Sequence, residues 1–144
     1  MEFIIVSKKS KEAIVKILQE NTSPQRESGS CRFFNGQILE DSFKIRRNIN
    51  YRNSFLPVIN GVLEETDYGT KVTIKARMES FVRIFMYIWF GIVSLACIVT
   101  LFSDLEFPFK FIPYFMLFAG ILTAVLQYKY EIKKAKAMLE EILE

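Results

Sequence analysis

The sequence predicts an α+β cytoplasmic module, with one helix packed on an antiparallel sheet, followed by a two-helix transmembrane hairpin and a helical cytoplasmic tail. Three observations support this fold class. Residues 1–80 alternate short apolar segments with polar turns, residues 81–128 contain two long apolar runs, and residues 129–144 are charged with helical spacing. We therefore expect a sensing or interaction domain over 1–80, a hairpin over 81–128 and a tail over 129–144.

The first module begins with a short strand and an amphipathic helix. Residues 3–6 are apolar, and Ser10 is placed to cap the helix that follows. Residues 21–30 then form a turn-rich linker. The face of the helix that should be buried carries apolar residues at helical spacing: Ala13, Ile14, Ile17 and Leu18.

Four strand-like segments follow, over residues 31–34, 38–52, 55–65 and 70–78. The last is the clearest, because apolar and polar residues alternate along it as in a half-buried strand. Gly69 lies in the turn before it, where a positive φ is needed. The segment ends almost directly at the first apolar run, so a disturbance of the sheet could reach the membrane.

The stretch KIRRNINYR, residues 44–52, is the candidate binding site. Read as a strand, it places a polar ladder on one face: Lys44, Arg46, Asn48, Asn50 and Arg52. Arg47 breaks the apolar side of the alternation and needs a carboxylate partner or a ligand. Tyr51, Phe55 and Phe34 could stack on bases. A solvated sheet face and attraction to anionic lipid are the alternatives. The candidate ligand-binding residues are Lys44, Arg46, Arg47, Asn48, Asn50, Tyr51 and Arg52.

Two apolar runs are long enough for helices that cross a membrane. Residues 81–102 are 22 residues with one charge, Arg83, and residues 111–128 are 18 residues without any. A buried core is the other reading of such runs, but an acidic loop between them and lysines after them favour spans. Basic residues cluster before the first run and after the second run, whereas the loop between the runs has only Lys110. Both termini should therefore be cytoplasmic at the bacterial inner membrane.

Small and polar residues form a narrow stripe on each span. Such residues allow close helix packing or hydrogen bonding in lipid. Packing within one hairpin, a seam between subunits and a pore lining all remain open, and a pore would require a homo-oligomer, for example a tetramer. The candidate pore or helix-packing residues are Gly91, Ser94, Gly120, Thr123, Ala124 and Gln127, with Cys97 beside them.

The tail continues the apolar spacing of the second span, from Phe118 to Ile142, as one helix would. We expect a continuous helix that helps the protein to multimerise; a tail docked on the hairpin domain is equally compatible with the spacing.

The composition argues against an enzyme and against a cofactor. The chain has no histidine, which excludes histidine-based catalysis and histidine-containing zinc sites. The acids Asp41, Glu64, Glu65 and Asp67 have no accompanying nucleophile-base pair or metal-ligand spacing. Cys31 and Cys97 are expected to be reduced thiols.

The segment YRNSFLPVING, residues 51–61, resembles a motif of small, mostly uncharacterised bacterial proteins with a sheet-rich cytoplasmic region and two C-terminal spans. Their upstream F-x-G and F-x-I and their later G-T correspond to Phe34-Asn35-Gly36, Phe43-Lys44-Ile45 and Gly69-Thr70. The architecture is also similar to that of Hailong-type anti-phage membrane effectors. That resemblance implies an oligomeric channel controlled by an oligonucleotide signal that a partner nucleotidyltransferase makes.

These features lead to two hypotheses about function. The first is an oligomeric membrane effector or ion channel, with a role in anti-phage defence, gated when its cytoplasmic domain binds an anionic nucleotide or single-stranded oligonucleotide. The second is a non-channel membrane anchor that recruits a soluble protein partner.

Overall fold

The computed structural model describes residues 1–24, 32–104 and 106–144, so Cys31 and residues 25–30 of the predicted linker lie outside it. A single 3-10 turn, Phe109–Phe111, precedes the last helix. In chain order the elements are β1 (Glu2–Ser7), α1 (Lys11–Asn21), β2 (Thr22–Ser23), β3 (Phe34–Ile38), β4 (Ser42–Arg47), β5 (Val58–Thr66), β6 (Gly69–Arg77), α2 (Ser80–Leu101) and α3 (Ile112–Leu143).

The described strands form a six-stranded sheet in the order β1-β6-β5-β4-β3-β2. Neighbours are antiparallel except at one edge, where β2 runs parallel to β3. The predicted antiparallel sheet is therefore confirmed in its centre and wrong at this edge. The reason is that the chain leaves α1 directly at Thr22 and joins the edge in the same direction as β3.

Strand β4 is much shorter than the predicted segment 38–52. Its pairing with β5 runs from Ser42 opposite Val62 to Ile45 opposite Ile59. Beyond Ile45 the strand pairs with β3 alone, and that pairing ends at Arg47 opposite Phe34. On the other side β5 begins at Val58, directly after Pro57, which cannot donate a ladder hydrogen bond. Asn53 instead forms a side-chain turn, its Oδ1 accepting the Phe55 N–H at 2.9 Å. The prediction of a single ladder through Arg52 is therefore wrong after Arg47.

Helix α1 and the C-terminal part of α3 cover one face of the sheet. Ser10 Oγ accepts the Ala13 N–H at 3.3 Å, which confirms the predicted cap. Ile14 and Leu18 of α1 are fully buried. The last turns of α3 contribute buried apolar residues to the same core: Ala135, Leu139 and Leu143. The tail is thus part of a continuous helix, and its apolar face is docked on the sheet of its own chain.

Helices α2 and α3 pack side by side and extend away from the sheet. Among the described residues, Ser80–Leu101 and the stretch 109–143 are long and apolar enough to cross a membrane. Only 17% and 6% of their most apolar windows are buried within the chain. A core helix of a soluble protein would be mostly buried, so these helices are the part of the fold that could span a bilayer.

Gly61 tests the packing of the central strands. It lies opposite Phe43 across the β4–β5 pair, and a Cβ added to Gly61 would overlap the Phe43 ring, which is 3% exposed. We expect Gly61→Ala to lower the free energy of unfolding by about 1–3 kcal/mol, because an overfilled core forces side chains to shift. Chemical denaturation of the detergent-solubilised protein measures this change.

The matched control is Gly91→Ala. A Cβ at Gly91 in α2 meets nothing within 4 Å, and alanine favours the helix over glycine by about 1 kcal/mol. Its unfolding midpoint should be unchanged or higher. Equal midpoints for the two alanine variants would contradict the packing described for Phe43.

Candidate functional site

Two consecutive arginines of β4 project from opposite faces of the sheet, and each holds one of the two long helices. Arg46 donates two hydrogen bonds to the carboxylate of Glu79, from Nη1 to Oε2 at 3.0 Å and from Nη2 to Oε1 at 2.6 Å. Glu79 is the residue directly before α2. Arg47 forms an ion pair with Glu131 of α3. Because side chains alternate along a strand, each arginine forms an ion pair at a different long helix. We call the Arg46–Glu79 pair the first clamp and the Arg47–Glu131 pair the second clamp.

The second clamp is a buried polar cluster around Glu131, which is 1% exposed. Its carboxylate accepts hydrogen bonds from Arg47 Nη2, from Tyr51 Oη at 2.7 Å and from Asn53 Nδ2 at 2.9 Å. Arg47 Nη2 also donates to Tyr51 Oη at 2.8 Å. Of the two alternatives that the sequence left open for Arg47, a carboxylate partner or a ligand, the structure shows the carboxylate.

The cluster keeps Glu131 ionised and Tyr51 protonated. Donation of the phenol to the Glu131 carboxylate raises the pKa of Tyr51 above its ordinary value. Burial raises the pKa of Glu131, but hydrogen bonds from Tyr51 and Arg47, and the charge of Arg47, lower this pKa by more than burial raises it. The result is a charged carboxylate that joins α3 to β4 and to the loop after it.

On the other face, the first clamp lines a cavity of about 470 Å³, which we call the junction pocket. Phe81 and Val82, in the first turn of α2, form part of its wall. A cavity of this size can hold a phosphate group with part of a nucleotide. Its polar lining is Asn35, Arg46, Arg52, Asn53, Ser54 and Glu79.

The structure divides the predicted ligand-binding residues into separate locations. Arg46 and Arg52 line the junction pocket, whereas Arg47 and Tyr51 belong to the Glu131 cluster. Asn48 donates from Nδ2 to the Arg32 carbonyl at 3.3 Å. Lys44 and Asn50 are exposed and do not line the pocket.

The predicted stacking surfaces also separate. Phe34 is fully buried in the core, so the expectation that it stacks on a base is wrong. Phe55 lies in an apolar groove beside Phe85 and Trp89 of α2.

Sequence reasoning missed four polar residues of the pocket: Asn35, Asn53, Ser54 and Glu79. Asn35 is the middle residue of the F-x-G motif, and this position could have marked it as a candidate site residue. Glu79 is the acid that directly precedes the first apolar run, and nothing in its spacing relates it to Arg46, which is 33 positions away.

The stripe residues on α2 and α3 fall into two groups, packed and exposed. Gly120 lies directly against the Trp89 ring, and Ala124 and Cys97 are buried, so these residues pack the hairpin within one chain. Thr123 is exposed in an apolar groove that it shares with Trp89 of α2. The other stripe residues are exposed: Gly91, Ser94 and Gln127.

No family model, curated protein or solved structure matches the chain. The resemblance based on YRNSFLPVING therefore stays a prediction. In the described ranges, no group of three or more Cys, Asp or Glu residues could hold a metal ion. The chemistry that the two clamps and the junction pocket offer is the binding of an anion by arginine.

Proposed function

We propose that the protein is an oligomeric membrane effector, an ion channel gated when a phosphate-bearing anion binds in the junction pocket. A nucleotide or single-stranded oligonucleotide is the ligand class that fits best. The observation that carries this proposal is the composition of the pocket, which combines two arginines from the sheet side with the first turn of a candidate span. A ligand there would contact the cytoplasmic domain and the helix at the same time.

The pair of clamps supports a gating role. Arg46 and Arg47 are neighbours on one strand, yet Arg46 binds Glu79, directly before α2, and Arg47 binds Glu131 in α3. A ligand that binds Arg46 differently in two arrangements of α2 shifts the equilibrium between them. Anti-phage defence would follow if a partner nucleotidyltransferase supplies that ligand.

The exposed stripe residues support an oligomer. Ser94, Thr123 and Gln127 carry polar groups on otherwise apolar helix surfaces, and such groups in lipid gain from partners on a neighbouring helix or from a water-filled pore. One hairpin encloses no pore, so conduction would require several copies of the chain.

Arg52→Ala tests the pocket. We expect it to weaken binding of labelled ATP or labelled short oligothymidylate by about 10- to 100-fold, because a hydrogen bond to a charged group contributes about 1.5–3 kcal/mol. Fluorescence anisotropy with the full-length protein in detergent measures the affinity.

Lys44→Ala is the matched control for this test. Lys44 is a basic residue of the same predicted ladder, and it is exposed and absent from the pocket lining. Lys44→Ala removes the same charge as Arg52→Ala does. It should change the affinity by less than about threefold, because one exposed charge contributes little to binding. Equal effects of the two substitutions would sink the proposed site.

The second candidate function, a membrane anchor that recruits a soluble protein, is favoured by the uncovered face of the sheet. Ile4 and Val62 lie on either side of Thr73 in adjacent strands, and they are 55% and 48% exposed. Exposed apolar residues on one surface are typical of an interaction site. Capture of a soluble protein that Val62→Lys abolishes, together with no ion flux in proteoliposomes, would favour the anchor over the channel.

A further inference from the structure

The first clamp lies inside the proposed binding site. Glu79 lines the junction pocket and accepts from both terminal nitrogens of Arg46. The two side chains are 42% and 37% exposed, so a soluble molecule can reach the pair. Within the described residues, the second arginine of the pocket, Arg52, has no carboxylate partner.

We infer that Glu79 is an internal competitor for the anion site: its carboxylate occupies Arg46 in the absence of ligand, and a phosphate-bearing ligand must displace it. This inference rests on the proposed function and concerns the regulation of the same pocket. The two oxygens of a carboxylate meet the guanidinium fork in the same bidentate manner as two oxygens of a phosphate. Glu79 therefore presents to Arg46 the contact that the ligand would make.

Charge decides which of the two anions prevails. The Glu79 carboxylate carries one negative charge and contacts one arginine, whereas a terminal phosphate carries about −1.5 to −2 near neutral pH. A phosphate in the pocket has both Arg46 and Arg52 within its lining. A ligand with at least two negative charges is thus the class expected to displace Glu79, and a monoanion is not.

Displacement of Glu79 would remove the ion pair between Arg46 and the start of α2 and leave the contacts between α3 and the sheet in place. The Glu79 carbonyl accepts the Arg83 N–H at 3.0 Å within the first turn of α2, so this side chain stands at the root of that helix. Helix α3 stays attached through Arg47 and Glu131, and through Tyr128 Oη, which donates to the Ala76 carbonyl at 3.1 Å. Ligand binding is thereby coupled to movement of α2 relative to α3.

Glu79→Gln in the full-length protein tests this inference. The substitution keeps the size of the side chain and removes the competing charge, so binding of labelled ATP and labelled oligothymidylate should become about two- to fivefold tighter, as expected for the loss of a partly exposed ion pair. Trp89 is the one tryptophan of the chain and lies in α2, so its emission reports on this helix. In Glu79→Gln without ligand, that emission should already match the emission of the ligand-bound wild type.

Glu64→Gln is the control, because Glu64 is an exposed acid paired with Lys71 at 3.0 Å and lies outside the junction pocket. It should leave both affinity and emission close to wild type. If wild type binds a probe and Glu79→Gln binds it no more tightly than Glu64→Gln does, the competitor role is overturned and the proposed function stands. If neither wild type nor Glu79→Gln binds either probe, the proposed function itself fails, and the competitor role fails with it.

Discussion

Replacing Glu131 with alanine is expected to lower the free energy of unfolding of the sheet domain by about 3–5 kcal/mol. The substitution leaves the Arg47 guanidinium, whose side chain is 11% exposed, buried without its counter-ion. It also removes the acceptor of the hydrogen bonds from Tyr51 and Asn53. Chemical denaturation in detergent, followed by circular dichroism, measures the loss.

Two further variants show whether the loss comes from an orphaned charge. Arg47→Met combined with Glu131→Leu should recover most of the stability, because apolar side chains of similar volume often replace a buried ion pair at little cost. Glu140→Ala removes an exposed carboxylate of the same helix, paired with Lys136 at 3.4 Å, and should change the free energy by less than about 0.5 kcal/mol. Similar losses for Glu131→Ala and Glu140→Ala would contradict the buried cluster.

The Glu131 cluster also makes the stability of the fold depend on pH in the acid range. The pKa of Glu131 is lower in the fold than its ordinary value, so the folded state favours the ionised form. The stabilisation is fully present above the ordinary carboxyl pKa and is lost as the pH falls through the lower, folded pKa. Glu131→Ala should remove this part of the acid dependence.

Replacing Leu139 with alanine is expected to lower the free energy of unfolding by about 2–5 kcal/mol, the range for a buried leucine truncated to leave a cavity. Leu139 is fully buried in the core that α1, α3 and the sheet share. Because this contact lies within one chain, the elution volume on gel filtration should not change. The unfolding midpoint and the elution volume together report the outcome.

The control for this substitution is Leu126→Ala, which removes the same atoms from the same helix at a residue that is 57% exposed. Its unfolding midpoint should stay near that of wild type. A tail that served as an oligomer seam would give the opposite result, with Leu139→Ala dissociating the oligomer and leaving the midpoint of the sheet domain in place.

Local chemistry explains which elements the sequence predicted well. Ser10 caps α1 because its hydroxyl accepts a nearby amide, and the strict alternation before residue 78 forms β6 over Gly69–Arg77. The two apolar runs form α2 and the first part of α3. Each of these features depends on neighbouring residues, so the pattern of the chain is sufficient to locate it.

The prediction failed where a strand depends on a distant partner. Residues 48–52 alternate as well as residues 43–47 do, yet only the latter extend the sheet, because pairing with β5 stops at Ile45 opposite Ile59 and pairing with β3 stops at Arg47 opposite Phe34. The polar ladder was consequently split, and Arg52 reaches the junction pocket from a loop.

The sequence by itself determined that Arg47 needs a carboxylate partner or a ligand, and that a charged tail continues the second apolar run as a helix. Only the tertiary structure decided that the carboxylate is Glu131, 84 positions away, and that the tail packs on its own sheet. The tertiary structure likewise decided that the Glu79 carboxylate is bound to Arg46 in the candidate pocket. The physical reason is that a buried charge dictates the kind of partner it requires, whereas the identity of that partner depends on which distant elements the packed core brings within hydrogen-bonding distance.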